Sequence, residues 1–218
     1  MENDKASQLR ILAEEVAADG SLPLAGAANL VFGEGSPEAE VMFVGEAPGA
    51  NENEQKRPFV GRAGQLLRRM IREVGWKEEE VYITNIVKRR PPENRDPLPE
   101  EIAVYKPYLT RQIDIIAPKV IVPLGRFAMN YFLPEAKITR DNGKVFRVDG
   151  RLIVPLFHPA AALRATEVLR VFEETFRKLP DIVAGKNTPS VELPPAYASE
   201  APAGKSARAK KPDQPRLF

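Results

Sequence analysis

The stretch VMFVGEAPG, residues 41–49, decides the fold. Val41, Met42, Phe43 and Val44 form a short apolar run that Gly45, Pro48 and Gly49 bring to an end. Such a run, bounded by turn residues, reads as a buried strand of the kind parallel sheets contain. Downstream, RAGQLLRRMIREV (62–74) repeats apolar residues at helical spacing. Leu66, Leu67, Met70, Ile71 and Val74 share its inner face, and Gly75 stands where a helix ends. A second strand is predicted over 81–87, VYITNIV. A proline-rich loop, a helix over 99–116, a third strand over 120–124 and a helix opened by Gly125 come next. Residues 145–148 and 152–156 suggest two further strands joined through Asp149-Gly150, a hairpin signal. His158-Pro159 opens a last helix, predicted over 160–179, and 6–18 carries the periodicity of an N-terminal helix. Strands alternating with helices specify an α/β fold, a three-layer α/β/α sandwich with a mostly parallel central sheet. Ligands of such sheets sit beyond the carboxyl ends of the strands, and the loops there are the chemically unusual segments of this chain.

Composition narrows the classes of function. The chain has 218 residues, of which 43% are hydrophobic, enough for one domain with a sizeable core. No run approaches the roughly eighteen apolar residues of a membrane span. The charged, amphipathic N-terminus lacks the features of a secretory signal, so a cytoplasmic protein is expected, and a monomer. There is no cysteine, which excludes disulfides, thiolate catalysis and a Cys-ligated zinc or iron–sulfur site. The single histidine excludes a multi-His metal site, so no metal is expected. A net charge of +2 does not announce a nucleic-acid partner, which must be argued from local patches. The expected division is a domain over 1–184 and a disordered tail over 185–218. The tail is rich in Pro, Ala, Ser and Lys and buries too little apolar surface to offset its ordering entropy.

Several residues in the loops carry possible chemistry. Gly45-Glu46-Ala47-Pro48-Gly49 either lets a ligand approach the backbone closely or is a plain strand-to-helix turn. Phe59, in RPFVG, either presents its ring to a flat base or anchors its loop to the core; taken alone, the second is the commoner arrangement. Asn85 ends the second strand, and its amide can read a donor–acceptor edge such as N3–H and O4 of uracil, or can serve the turn. His158 either donates to a developing negative charge or fixes its loop. Lys88-Arg89-Arg90 is either a phosphate contact or a solvated basic run.

Taken together, GEAPG, PFVGRAG (58–64), VYITNIVKRRPPENRDP (81–97), the LG-x-x-A pattern at 124–128 and FHPAAAL (157–163) resemble the family 4 uracil-DNA glycosylases in order and spacing, from about residue 19 to 180. The resemblance implies a monofunctional DNA glycosylase that flips uracil out of DNA and hydrolyses its N-glycosidic bond, initiating base excision repair. By it, Phe59 stacks on the flipped base, Asn85 reads its polar edge and His158 donates to O2. Backbone at Gly45, Glu46 and Ala47 lines the pocket. Glu46 and Glu52 match acidic positions that order water or support the loop, and Asn94 matches a position near the site. Leu163 is the candidate wedge entering DNA, with Arg164, Lys88, Arg89 and Arg90 as candidate phosphate contacts. Members of the family carry four cysteines that hold a [4Fe–4S] cluster. Asp19, Leu22, Arg89 and Tyr105 stand at the equivalent positions, so no cofactor is expected, with Leu22 and Tyr105 replacing metal bonds by packing and Arg89 left free to reach DNA.

The chain ends in QPRLF, which resembles the Q-x-x-L-F peptides that dock into bacterial sliding clamps. Gln214, Leu217 and Phe218 would be its contacts, with Lys205, Arg208, Lys210 and Lys211 upstream. The alternative class is a non-catalytic uracil- or DNA-binding relative, against which the retained Phe59, Asn85 and His158 argue. A nucleotide-binding enzyme using GEAPG as a phosphate loop lacks the Lys-Ser/Thr signature such a loop needs.

Overall fold

The computed structural model of the chain describes residues 4–186 and 191–193. Its strands are β1 (Glu34–Gly35), β2 (Val41–Gly45), β3 (Tyr82–Asn85), β4 (Val120–Pro123), β5 (Phe146–Val148), β6 (Arg151–Ile153) and β7 (Val191–Leu193). They form one sheet in the order β1-β3-β2-β4-β6-β5-β7. The central four, β3-β2-β4-β6, are parallel. β1 and β5 run antiparallel to β3 and β6, and β7 parallel to β5. Alternation along β2 shows why the run is wholly apolar. Met42 and Val44 face one core with α1 (Lys5–Ala18), α4 (Pro99–Ile116) and α5 (Gly125–Phe132). Val41 and Phe43 face a second core with α3 (Arg62–Glu73), α8 (Thr166–Phe176) and α9 (Leu179–Val183). Both faces are covered, so every side chain of the strand leaves water. Phe43 stacks on Phe176 with ring centroids 5.5 Å apart, and burying such a ring contributes about 1.5–3 kcal/mol. The architecture is the three-layer α/β/α sandwich the strand pattern predicts.

The structure departs from the sequence expectations at the edges. The predicted helix over 160–179 is three helices: α7 (Pro159–Ala162), α8 and α9. Ala165 takes an extended conformation that caps α8, and Pro180 restarts the chain in the first turn of α9. Periodicity does not reveal such breaks, because the apolar face continues across them. α2 (Ala50–Gln55), α6 (Ile138–Asp141) and β1 are too short to carry a periodic signal. The strand predicted over 81–87 narrows to β3, although Ile86 and Val87 still donate to the carbonyls of Gly45 and Glu46. Residues 191–193, inside the segment expected to be disordered, pair with β5. The β-branched Val191 and an open sheet edge account for that correction. Asp149 and Gly150 both take positive φ, as a two-residue hairpin turn requires. Among the described residues no helix is long and apolar enough to cross a membrane.

Candidate active site

The chain leaves β2 toward β3 and leaves β4 toward β6, so strand order reverses at the carboxyl ends of β2 and β4. A doubly wound sheet opens a crevice at that point. The cavity found there has a volume of about 380 Å³ and is lined by Glu46, Ala47, Glu52, Phe59, Asn85, Asn94, His158 and Arg164, among others. A larger cavity of about 590 Å³ lies beside α5, α6 and β5, but it is mostly apolar. Three of its charged residues are committed to one another, with Asp141 accepting from both Arg140 and Lys144. The smaller cavity, with convergent polar groups, is the chemical site.

Gly45 sets the close packing at its floor. A Cβ on Gly45 would lie 2.3 Å from Asn85 Oδ1 and 2.6 Å from Phe59 Cζ, so only glycine lets both groups rest against the end of β2. Asn85 is buried at the end of β3. Phe59 sits at φ +52°, and its ring centroid is 5.9 Å from that of His158. Glu52, from α2, accepts from the amides of Val60 (2.9 Å) and Gly61 (2.7 Å), so its carboxylate is occupied in holding the loop that bears Phe59.

His158 caps α7, and its Nδ1 accepts from the Ala160 amide at 3.1 Å. That bond places the imidazole proton on Nε2. Burial, followed by the nearby Arg164, pushes the His158 pKa down to about 4, so the ring is neutral at physiological pH and retains one N–H to donate. Glu46 is shifted the other way. Burial, then the Asp96 carboxylate, raises its pKa to about 7, with Arg126 opposing. Two titratable groups in one pocket are thus driven apart, a neutral donor and a carboxylate poised near neutrality.

The basic run is divided by the fold. Lys88 is fully buried, donating to Thr84 Oγ1 (2.7 Å), the Asn85 carbonyl (2.7 Å) and Gln112 Oε1. Burial pushes its pKa well below the usual lysine value, while three acceptors match the three hydrogens of an ammonium. Arg89 is buried too, donating to the carbonyls of Ala28 and Val16. The expectation that Lys88 and Arg89 contact phosphates is therefore corrected: both point into the protein, and Lys88 instead fixes the backbone of Asn85. Arg90 stays at the surface and bonds Asn94 Oδ1 at 2.7 Å. Arg164 lines the cavity, and its neighbour in sequence, Leu163, is 41% exposed. Gln214, Leu217 and Phe218 lie outside the described residues.

Ala63, Gly64 and Ala160 also line the cavity. Their small size within GRAG and HPAAA is the signal that marks them. Arg126 and Asp96, paired at 2.7 Å, set the field at Glu46 and carry no local signature.

The positions equivalent to the family's cluster ligands converge, but they do not fit a cluster. Tyr105 is fully buried and donates to the Pro23 carbonyl at 2.7 Å. Leu22 is buried in the same core, and Asp19 accepts from Ser21 and from the Tyr108 hydroxyl. Offering no thiolate but an apolar side chain, a guanidinium, and a carboxylate and a phenol already engaged by Ser21, Tyr108 and Pro23, the corner does not fit an iron–sulfur cluster. The Arg89 guanidinium that enters this corner keeps a buried Nε without a partner.

Fold and site together define an enzyme that works on a group admitted to a polar pocket at the sheet's switch point. Residues 32–180 match the family model described as the uracil DNA glycosylase superfamily. The chain belongs to that superfamily, and its activity is of the glycosylase kind. It is 48% identical over 164 residues to the type-4 uracil-DNA glycosylase of Sulfurisphaera tokodaii, covering 71% of this chain and 74% of that one. It is 43% identical over 172 residues to the type-4 enzyme of Archaeoglobus fulgidus, covering 75% and 86%. With the type-4 enzyme of Thermotoga maritima it shares 42% identity over 176 residues, covering 78% and 92%.

Proposed function

We propose that this enzyme excises uracil from DNA and so initiates base excision repair. The observation that carries this reading is the convergence of Phe59, Asn85, His158 and Glu46 on one cavity. C1′ is inaccessible within a stacked duplex, so the nucleotide must first be extruded. The Phe59 ring stacks on the base, and the Asn85 amide pairs with N3–H and O4. Cytosine presents the reversed pattern and would leave buried polar groups unmatched. The C1′–N1 bond then breaks, its electron pair leaving with uracil as an anion while the sugar becomes oxocarbenium-like. Nε2–H of neutral His158 donates to O2, where the charge develops. Water adds through its oxygen to C1′ and gives a proton to the Glu46 carboxylate. The products are free uracil and an abasic site. Glu52 supports the loop, Asn94 orients Arg90, Leu163 fills the space left in the duplex, and Arg90 and Arg164 contact phosphates.

We infer further a glycosylase domain over 1–184, with residues 191–193 added at its sheet edge, acting as a cytoplasmic monomer; as a separate reading of the tail, Gln214, Leu217 and Phe218 would dock into a sliding clamp. Release of uracil from a labelled oligonucleotide tests the central claim. Alkali-sensitive cleavage at uracil is expected from the parent protein, falling by orders of magnitude in His158→Ala and Asn85→Ala while both still fold. Near-parental rates from both variants overturn the assignment. No cleavage by the well-folded parent would favour the binding-only alternative.

A further inference from the structure

We propose that Arg68, outside the cavity, is a positioning residue for excision, holding the Phe59 ring in place by clamping the backbone beneath it. This rests on the reading that Phe59 stacks on the base. Phe59 adopts φ +52°, a left-handed conformation that side chains other than glycine's rarely take. Such a residue persists only where its surroundings over-determine it. Two clamps do so here. On the downstream side, Glu52 holds the amides of Val60 and Gly61. Arg68 holds the carbonyls on both sides of the Phe59 Cα: its Nη2 donates to the Pro58 carbonyl and its Nε to the Phe59 carbonyl, each at 2.8 Å. Arg68 thus grips both peptide units that flank Phe59, and Glu52 shares the second of them through the Val60 amide.

Arg68 can do this because the rest of its guanidinium is anchored. Nη1 donates to Glu78 at 2.6 Å, and Nη2 also pairs with Glu34 on β1. Glu34 in turn takes Arg57, next to Pro58, at 2.7 Å. The Arg68 side chain is 11% exposed. Gly64 brings α3 close enough for the clamp, since a Cβ there would fall 1.9 Å from the Phe59 carbonyl carbon. A planar fork serving two carbonyls and two carboxylates has no equivalent in lysine, which presents a single point of charge. Freed of the Arg68 clamp, the backbone around Phe59 relaxes toward an extended conformation. The ring then leaves its seat against Gly45, beside Asn85 and His158.

A residue that merely ties α3 to its loop would affect any excision equally, so the test is a mutant cycle with the ring itself. Single-turnover uracil excision is measured for the parent, Arg68→Lys, Phe59→Ala and the double variant, with DNA affinity and thermal melting alongside. Arg68→Lys is expected to slow the parent by about tenfold to a hundredfold, the effect of a small misplacement in a site, with DNA affinity unchanged. In the Phe59→Ala background the same change is expected to cost less than about twofold, since coupled residues are non-additive. Equal losses in both backgrounds overturn the role of Arg68 and leave stacking intact. A parental rate for Phe59→Ala overturns the stacking reading itself. If Arg68→Lys fails to fold, Glu34→Gln, which loosens one anchor of Arg68, takes its place in the cycle. A loss of about threefold confined to the Phe59 background is then expected, and equal losses again overturn the proposal.

Discussion

Replacing Tyr105 by alanine removes a fully buried ring from the corner between α1 and α4 and deprives the Pro23 carbonyl of its donor. Truncating a buried aromatic to alanine costs about 3–5 kcal/mol, and an orphaned buried acceptor adds about 1–3 kcal/mol. Partial collapse of the cavity offsets some of this, so the expected loss is about 4–6 kcal/mol. In a domain of this size each kcal/mol lowers the melting midpoint by roughly 2–4 °C, giving a fall of roughly 8–24 °C by calorimetry. Tyr105→Phe isolates the hydroxyl, at about 1–2 kcal/mol and roughly 2–8 °C. Burial raises the Tyr105 pKa to about 12, against the opposing effect of Arg89, so its hydroxyl stays protonated and donating through the physiological range. Excision measured well below both midpoints should stay within about twofold of the parent, because no pocket contact is touched. A Tyr105→Ala protein melting within about 2 °C of the parent would refute the idea that packing closes this corner.

Single-turnover excision should rise about tenfold per pH unit below pH 7 and level off above it, because Glu46 must lose its proton to accept one from water. His158, with a pKa of about 4, contributes no limb in that range. Asp96→Asn removes a like charge and should move the Glu46 midpoint to lower pH; a flat profile from pH 5.5 to 8 would exclude Glu46 as the base. Lys88→Met leaves Thr84, the Asn85 carbonyl and Gln112 without their donor. It should cost about 2–5 kcal/mol by denaturant unfolding, since each buried acceptor left without a donor costs about 1–3 kcal/mol, and a change below about 1 kcal/mol would show that the buried amine holds nothing. Arg90→Ala and Arg164→Ala should each flatten the salt dependence of DNA binding by about one ion. Lys88→Met should leave that slope untouched, and an altered slope would contradict its burial.

The central sheet was legible because Val41–Val44 and Val120–Val122 are apolar at every position, which only a strand covered on both faces tolerates. Asn85 and His158 were legible as strand-end residues with the right chemistry. Lys88 and Arg89 were misread because charge reads as surface in a sequence. Nothing local reveals that Gln112, 24 residues on, supplies an acceptor for Lys88. Arg68 was invisible for the same reason. Its partners come from β1, the loop before α3 and the turn after it, and only the folded chain brings Glu34, Pro58 and Glu78 around one guanidinium. The breaks between α7, α8 and α9 were hidden by an apolar face that runs through them.

The inward turn of Lys88 and Arg89 bears on how the enzyme travels along a genome. Non-specific affinity for DNA scales with the number of phosphates neutralised and falls steeply with salt. A protein with net charge +2 that withdraws two cations from its rim, and pairs Arg95 and Arg126 with Glu101 and Asp96, keeps that number small. If uracil excision is the function, the described domain's visits to undamaged DNA would be correspondingly brief, and discrimination would reside in residence at the lesion rather than in grip on the backbone.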